Sequence, residues 1–173
     1  MAELGPKMLN TANRALWWVP TIADMNAPKV SEINAGIQLA CRITAANYQF
    51  GVTGNESISD PALCDDIVAS VPGQANVEAS MEFFRYKETA DDLAWTTFDG
   101  KDISGYLVER IGQVAEGVRP EDSPAVSGDV VSVLYGITND QIVLSPSTAG
   151  YEKFRQVFSP QRFVARATVA AGA

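Results

Sequence analysis

Histidine is absent from the 173 residues, which removes the commonest general base and the commonest metal ligand together. Cysteine is nearly absent, with only Cys41 and Cys64. Cys41 reads as a small hydrophobe beside Leu39 and Ile43, and Cys64 lies in an acidic turn, so a disulfide between them is not expected. No nucleophile elbow, phosphate loop, dinucleotide fingerprint or cysteine metal cluster occurs. Basic charge is scarce as well. Thirteen Lys and Arg face 21 Asp and Glu for a net charge of −8, the wrong balance for gripping phosphate. Met1–Asn10 has no charged-then-apolar leader, and no apolar run is long enough to span a bilayer. The expectation is a protein made in a reducing cytoplasm, with no membrane insertion and no cofactor. Hydrophobic residues make up 46% and charged residues 20%, an ordinary globular balance that excludes wholesale disorder.

What is present begins with Val77–Tyr86. Val77, Ala79, Met81 and Phe83 alternate with Glu78, Ser80 and Glu82, as a half-buried β-strand requires. Burying Val77, Met81 and Phe83 is worth about 1.5–3 kcal/mol each, enough to anchor a sheet. Gly36–Thr44 alternates too, with Ile37, Leu39, Cys41 and Ile43 against Gln38, Arg42 and Thr44, and reads as a second strand. Between them Ala45–Asn76 reads as a long loop, broken by a short strand near Ser57–Ser59 and a turn at Asp60–Asp66. Loops of that length in compact domains are usually functional. Asp60, Asp65 and Asp66 match no calcium loop and read as a solvated turn.

Met1–Ala35 reads as an extended N-terminal arm. It holds Pro6, Pro20 and Pro28, and the adjacent Trp17 and Trp18 suit an intersubunit contact or a place under a loop of the same chain. Thr89–Phe98 predicts a short helix capped by Thr89, with Leu93, Trp95 and Phe98 on its apolar side. Ser104–Ile111 predicts a strand. Asp129–Thr138 and Gln141–Leu144 predict a hairpin about Asn139-Asp140. Tyr151–Phe158 and Arg162–Ala170 predict two closing strands. Short strands, turn signals and one helix indicate a mainly β chain. The expected architecture is a single antiparallel β-sandwich or barrel domain over residues 1–173, its core at 36–173.

Charge is segregated along the chain. From Lys153 onward come Lys153, Arg155, Arg162 and Arg166 and no acid. An acidic body with a basic end suits self-association, or is simply an asymmetric surface. Catalysis would fall to a carboxylate pair. Glu78 and Glu82 share a strand face but stand about 13 Å apart, beyond the roughly 5–10 Å that glycosidase carboxylates use.

The order of motifs resembles the major tail tube proteins of long, non-contractile-tailed bacteriophages, most closely those infecting actinobacteria. The similar stretches are WWVPTIAD (Trp17–Asp24), EINAG (Glu32–Gly36), IQLACRIT and SDPALCDD (Ser59–Asp66). They continue with VPGQANVEASMEFFRY (Val71–Tyr86), ADDLAW, GYLVER (Gly105–Arg110), GDVVSVLYG (Gly128–Gly136) and the closing FRQVFSPQRFVARATVA. The resemblance covers nearly the whole chain. It implies a non-enzymatic virion protein, assembled in the host cytoplasm into hexameric rings that stack into a tail tube for genome ejection. Four strands per subunit would join one inner barrel. Met1–Ala35 would be the arm, Ala45–Asn76 the stacking loop, and Ile37–Thr44 with Val77–Tyr86 a hairpin of that barrel. Implied partners are other copies, the tape-measure protein and the tail terminator and distal tail proteins, with DNA only in transit.

Twenty-four strands spaced about 4.8 Å and tilted about 40° would close a barrel roughly 48 Å across, wide enough for duplex DNA. A conduit wall that bound phosphate would stall the duplex, so acidic or neutral lumen faces are expected. The lumen candidates are Gln38, Arg42, Thr44, Glu78, Ser80 and Glu82, with Arg42 paired across strands to Glu78 or Glu82. An outer solvated sheet face is the alternative for these six. The intersubunit candidates are Trp17, Trp18, Asp60, Asp65, Asp66, Arg155 and Arg162. Two other functions compete: a β-sandwich module binding host-surface carbohydrate through Trp17, Trp18 and Trp95, and a carboxylate-dependent hydrolase.

Overall fold

The computed structural model describes residues 7–8, 10, 12–112, 117–144 and 150–172. Its first strand, β1 (Arg14–Val19), is apolar at every position from Ala15 onward because both of its faces are covered. Ala15, Trp17 and Val19 enter one core cluster, and Leu16 and Trp18 enter another. β1 pairs antiparallel with β5 (Ser104–Ile111) along its whole length and with the short β2 (Ile37–Gln38) on its other edge. Residues 14–35 are therefore not a free arm. The part of the arm reading that concerns residues 1–6, 9 and 11 lies outside the described residues. Trp17 and Trp18 are 4% and 3% exposed, so the intersubunit role expected of them is replaced by one inside their own chain. A pair pointing to opposite sides of a strand finds two homes when that strand lies between two cores.

β6 (Val130–Thr138) pairs with β5 on one edge and with the second half of β8 (Lys153–Thr168) on the other. The two expected closing strands are this one long strand. Pro160 and Gln161 form a bulge in it, where Tyr135 pairs with Arg162 and Gly136 with Pro160. The first half of β8 belongs to a different group. It pairs with β4 (Val71–Phe84) on one edge and with β7 (Ile142–Leu144) on the other, and β4 pairs with β3 (Ile43–Ile58). The eight strands form one hydrogen-bonded sheet that folds over at β8 into two layers, β2-β1-β5-β6-β8 and β7-β8-β4-β3. The hairpin expected about Asn139-Asp140 does not form, because β6 and β7 run in line along the same edge of β8. The antiparallel β-sandwich is the architecture expected.

Between the layers lies an aromatic core. Trp18 meets Phe98 edge-on at 5.1 Å and Phe158 at 5.7 Å, and Phe83 stacks on Phe154 at 5.2 Å. Such pairs add about 0.5–1.5 kcal/mol each beyond the area they bury. Phe98 is delivered by α2 (Leu93–Thr97), which is shorter than expected. Its N-cap is Asp92, not Thr89, and the Asp92 carboxylate is held by Arg85 Nε at 2.7 Å. The second core sits on the far face of β1, β5 and β6. It is closed by α1 (Val30–Asn34), unanticipated as a helix, and by the segment around Ala125. Arg110 ties that segment down from a fully buried position. It donates to Asp129 Oδ2 at 2.8 Å, to the Pro124 carbonyl at 3.0 Å and to the Ser123 carbonyl at 2.8 Å, with Trp17 against its guanidinium.

Gly105 shows how closely Trp18 is seated. A Cβ there would collide with Trp18 Cζ2 and lie 2.7 Å from its Cη2, and the indole has no room to retreat. Gly105→Ala is expected to lower stability by about 1–3 kcal/mol, read as a fall in the urea or thermal midpoint. Arg110→Ala strands Asp129 in the interior and is expected to cost about 3–5 kcal/mol in the same assay.

Candidate assembly surfaces: one sheet face and its hairpin

The alternation in β4 is realised. Ala79, Met81 and Phe83 are buried in the aromatic core, and Glu78, Ser80 and Glu82 point to the other face of the β7-β8-β4-β3 sheet. Gln49 stands across from Ser80, Val157 flanks Ser80, and Arg155 flanks Glu82. The Arg155 guanidinium donates to Glu82 Oε1 at 2.7 Å. Burial alone would raise the Glu82 pKa. Hydrogen bonds from Arg155 and Asn47, with the charges of Arg155 and Lys153, outweigh it and leave the carboxyl below its ordinary value. Charge on this face is balanced around Glu82 and turns acidic toward Glu78, which is exposed.

Gln38, Arg42 and Thr44 do not join that row. The expected strand Gly36–Thr44 stops after β2, and Ala40–Arg42 forms a 3₁₀ turn. Gln38 pairs with Trp17 in the other sheet. Arg42 donates to the Gln38 carbonyl at 3.3 Å and lies against the Tyr86 ring, so it is no cross-strand partner of Glu78 or Glu82. Thr44 is buried in the irregular start of β3, between the Ile43–Phe83 and Tyr48–Met81 pairs. Cys41 is exposed on the 3₁₀ turn and is not on an apolar strand face, and both cysteines are free thiols. Nearby, Tyr48 donates to the buried Glu109 Oε1 at 2.7 Å, and Arg14 holds the same oxygen at 2.5 Å.

The second surface is the stretch expected to be a long loop. It is a hairpin: β3 and β4 stay paired out to Ile58–Val71, and only residues 59–70 turn between them. Up to Phe50 the ribbon belongs to the sandwich, and Phe50 meets Phe163 of β8 edge-on at 6.0 Å. Beyond it, every residue from Val52 to Pro72 is exposed. Seven residues of strand carry this arm about 20 Å outward. Asp60, Asp65 and Asp66 sit in its tip, where Asp65 Oδ2 accepts the Ala62 amide at 2.7 Å. Leu63, Ile67 (78% exposed) and Val68 (71%) stand beside them. Sequence reasoning missed the arm because a ribbon wet on both faces shows no alternation.

Of the remaining intersubunit candidates, Arg155 is occupied by Glu82 within its own chain, while Arg162 is exposed on β8. Trp95 is half-buried under Arg85, whose guanidinium lies 3.7 Å from the ring centroid. With Trp17 and Trp18 in the core, the carbohydrate reading loses its three stacking residues. Among the described residues no group of three His, Cys, Asp or Glu could hold a metal ion, and no helix is long and apolar enough to cross a membrane.

A family model described as phage tail tube protein matches residues 1–173. No curated protein was found to match the chain. The chain belongs to the phage tail tube protein family. It is a structural, non-enzymatic component of the virion tail that assembles with itself into a tube.

Glu82 gives this face an acid dependence with a defined sign. Its pKa in the folded protein lies below the ordinary glutamate value, because the hydrogen bonds from Arg155 and Asn47 outweigh the effect of burial. Its contribution to stability is therefore complete above that value and is lost as pH falls through the folded-state pKa. Glu82→Gln removes the titration. The urea-midpoint gap between wild type and variant is expected to be widest near neutral pH and to narrow below about pH 4.

Proposed function

We propose that this tail tube protein closes into rings through the β7-β8-β4-β3 sheet, and that the rings stack into the conduit for genome ejection. The observation that carries the reading is the shape of that sheet. It has four antiparallel strands, one face on a core, one polar face, and at each end, β7 and β3, a strand whose outer edge is unpaired among the described residues. An open edge is a template for another strand. Joining β3 of one copy to β7 of the next extends the sheet without limit, and curvature closes it into a barrel. Ile142 and Val143 on β7 are 48% and 64% exposed, as apolar side chains awaiting a neighbour would be.

Six copies, the number the family resemblance supplies, contribute four strands each. The barrel of about 24 strands is then roughly 48 Å between backbones. Glu78, Ser80 and Glu82 face its lumen with Gln49, Arg155 and Val157. A wall on which Arg155 is paired to Glu82, Lys153 lies over the Phe84 ring and Glu78 is exposed carries no excess of cations, gives DNA little foothold and lets it slide. Assembly in the host cytoplasm, a tape-measure protein inside, and terminator and distal tail proteins at the ends complete the proposal. The hairpin arm, with the role first given to Ala45–Asn76, reaches from ring to ring.

Negative-stain electron microscopy of the purified protein tests this. Rings with a central hole, stacked into tubes, are expected; a monomer that persists at millimolar concentration overturns the reading. Ile142→Lys with Val143→Lys puts two charges on the β7 edge, where they block strand addition. That variant is expected to keep its circular dichroism spectrum and to form no rings.

A further inference from the structure

Charge along the chain is segregated into two elements that, among the described residues, meet as an ion pair within one molecule only at Glu82 and Arg155. Ile43–Phe84, which makes up β3, the tip and β4, contains Glu56, Asp60, Asp65, Asp66, Glu78 and Glu82 and not one Lys or Arg. Of these six, only Glu82 has an ion-pair partner among the described residues. From Lys153 onward the pattern inverts, with four cations and no anion. Arg155 is taken by Glu82, and Lys153 lies 5.5 Å from the Phe84 ring centroid. Arg162 and Arg166 are left exposed with no ion-pair partner among the described residues.

The backbone is segregated in the same way. β4 leaves β8 at the Ala79–Phe158 pair, and β8 continues alone on that side. Its second half is paired only with β6, so the edge opposite β6 has no strand over residues 159–168 among the described residues. The chain's own hairpin does not return to it. Phe50 packs on Phe163, after which the hairpin runs out into solvent. Strand alternation sends Arg162 to the face opposite Phe163. Exposed Val126 and Val130 lie at the far end of this half-strand, beside Thr168 and Val169.

We infer that the acidic hairpin arm of one copy docks on the second half of β8 in another copy, with Asp60, Asp65 and Asp66 against Arg162 and Arg166. The occupant is the arm itself because three independent features match. The arm is acidic where the strand is basic. Its tip carries Leu63, Ile67 and Val68 where the strand end offers Val126 and Val130. A two-stranded ribbon is marginal in water on its own, and the open edge of β8 can receive it. The contact is head-to-tail between unlike surfaces, so it can repeat as an open stack, which stacking along an axis requires. This docking rests on the tube reading above and supplies the receiving surface that reading leaves unassigned.

The test is charge reversal followed by electron microscopy at fixed protein concentration. Arg162→Glu with Arg166→Glu is expected to leave rings intact and to cut tube yield at least tenfold at about 0.1 M salt, where charges act over roughly 10 Å. Asp60→Lys, Asp65→Lys and Asp66→Lys together are expected to do the same. Combining the two sets in one chain is expected to restore tubes. Should the reversed strand misfold by circular dichroism, Arg162→Gln with Arg166→Gln carries the same expectation in weaker form. Wild-type tubes with undiminished yield in the arginine variants overturn the docking and leave the ring reading standing. Failure of the combined variant to regain tubes overturns it as well. Absence of rings in the wild type overturns the ring reading itself. Loss of duplex DNA binding in the arginine variants with tubes unchanged shows phosphate to be the occupant and overturns the docking.

Discussion

Strand β8 is the constraint on which the fold depends. It is the one strand that belongs to both layers, and it changes allegiance at Phe158–Gln161, where Pro160 offers no amide to a ladder and Gln161 is the extra residue of a bulge. Phe154 and Phe158 lie on its inner side before the change, and both reach into the aromatic core. A strand that bends while filling a core fixes the angle between the layers it joins. The remaining strands follow. β5 and β6 extend one layer toward β1, β4 and β3 extend the other, and Trp18 with Phe98 fills the wedge between them.

The same bend creates the features that the proposed assembly uses. Because β8 turns away, β4 runs on past it, and the β3–β4 ribbon leaves the sandwich with no layer beneath it. Because β6 and β7 share one edge of β8, the sheet ends in the very short β7 with its outer edge open. Among the described residues, one bulge therefore yields an unsupported arm, an unpaired half-strand and an unpaired edge. In an isolated domain each would be a liability for aggregation. In the assembly proposed above they are the joints. Negative charge on the arm restrains its pairing with other arms, which keeps the hazard specific.

How much of this was legible in the sequence depended on how each strand is wetted. β4 was readable because one face is dry and one wet over Val77–Phe83, so period two survives in the residue types. β1 was not, because ALWWV is dry on both faces and shows only a short apolar run, which prolines on either side made look like an arm. The distal ribbon failed for the opposite reason: wet on both faces and carrying Gly51, Gly54 and Gly73, it looks like a loop. Gly36–Thr44 alternated by accident, and the 3₁₀ turn at Ala40–Arg42 broke a pattern that tertiary contacts did not support. Pairing partners were out of reach altogether. Nothing in Asn139-Asp140 states that β7 continues alongside β8 when a hairpin turn is also available, and nothing near Arg155 states that Glu82 waits across the ladder.

That last pair bears on how the proposed conduit can be both stable and slippery. A lumen wall lined only with free carboxylates would repel DNA, but it would also repel itself at every turn of the barrel. The Glu82–Arg155 pair relieves this by setting a cation beside a buried carboxylate: Glu82 is 5% exposed, and Arg155, its side chain 41% exposed, donates to it at 2.7 Å. An arginine held in this way lowers the self-repulsion of the sheet while offering little to a passing phosphate, whose own desolvation would have to outbid a buried carboxylate. Removing the arginine charge makes the wall more acidic but less stable; removing the glutamate charge frees the arginine toward the lumen.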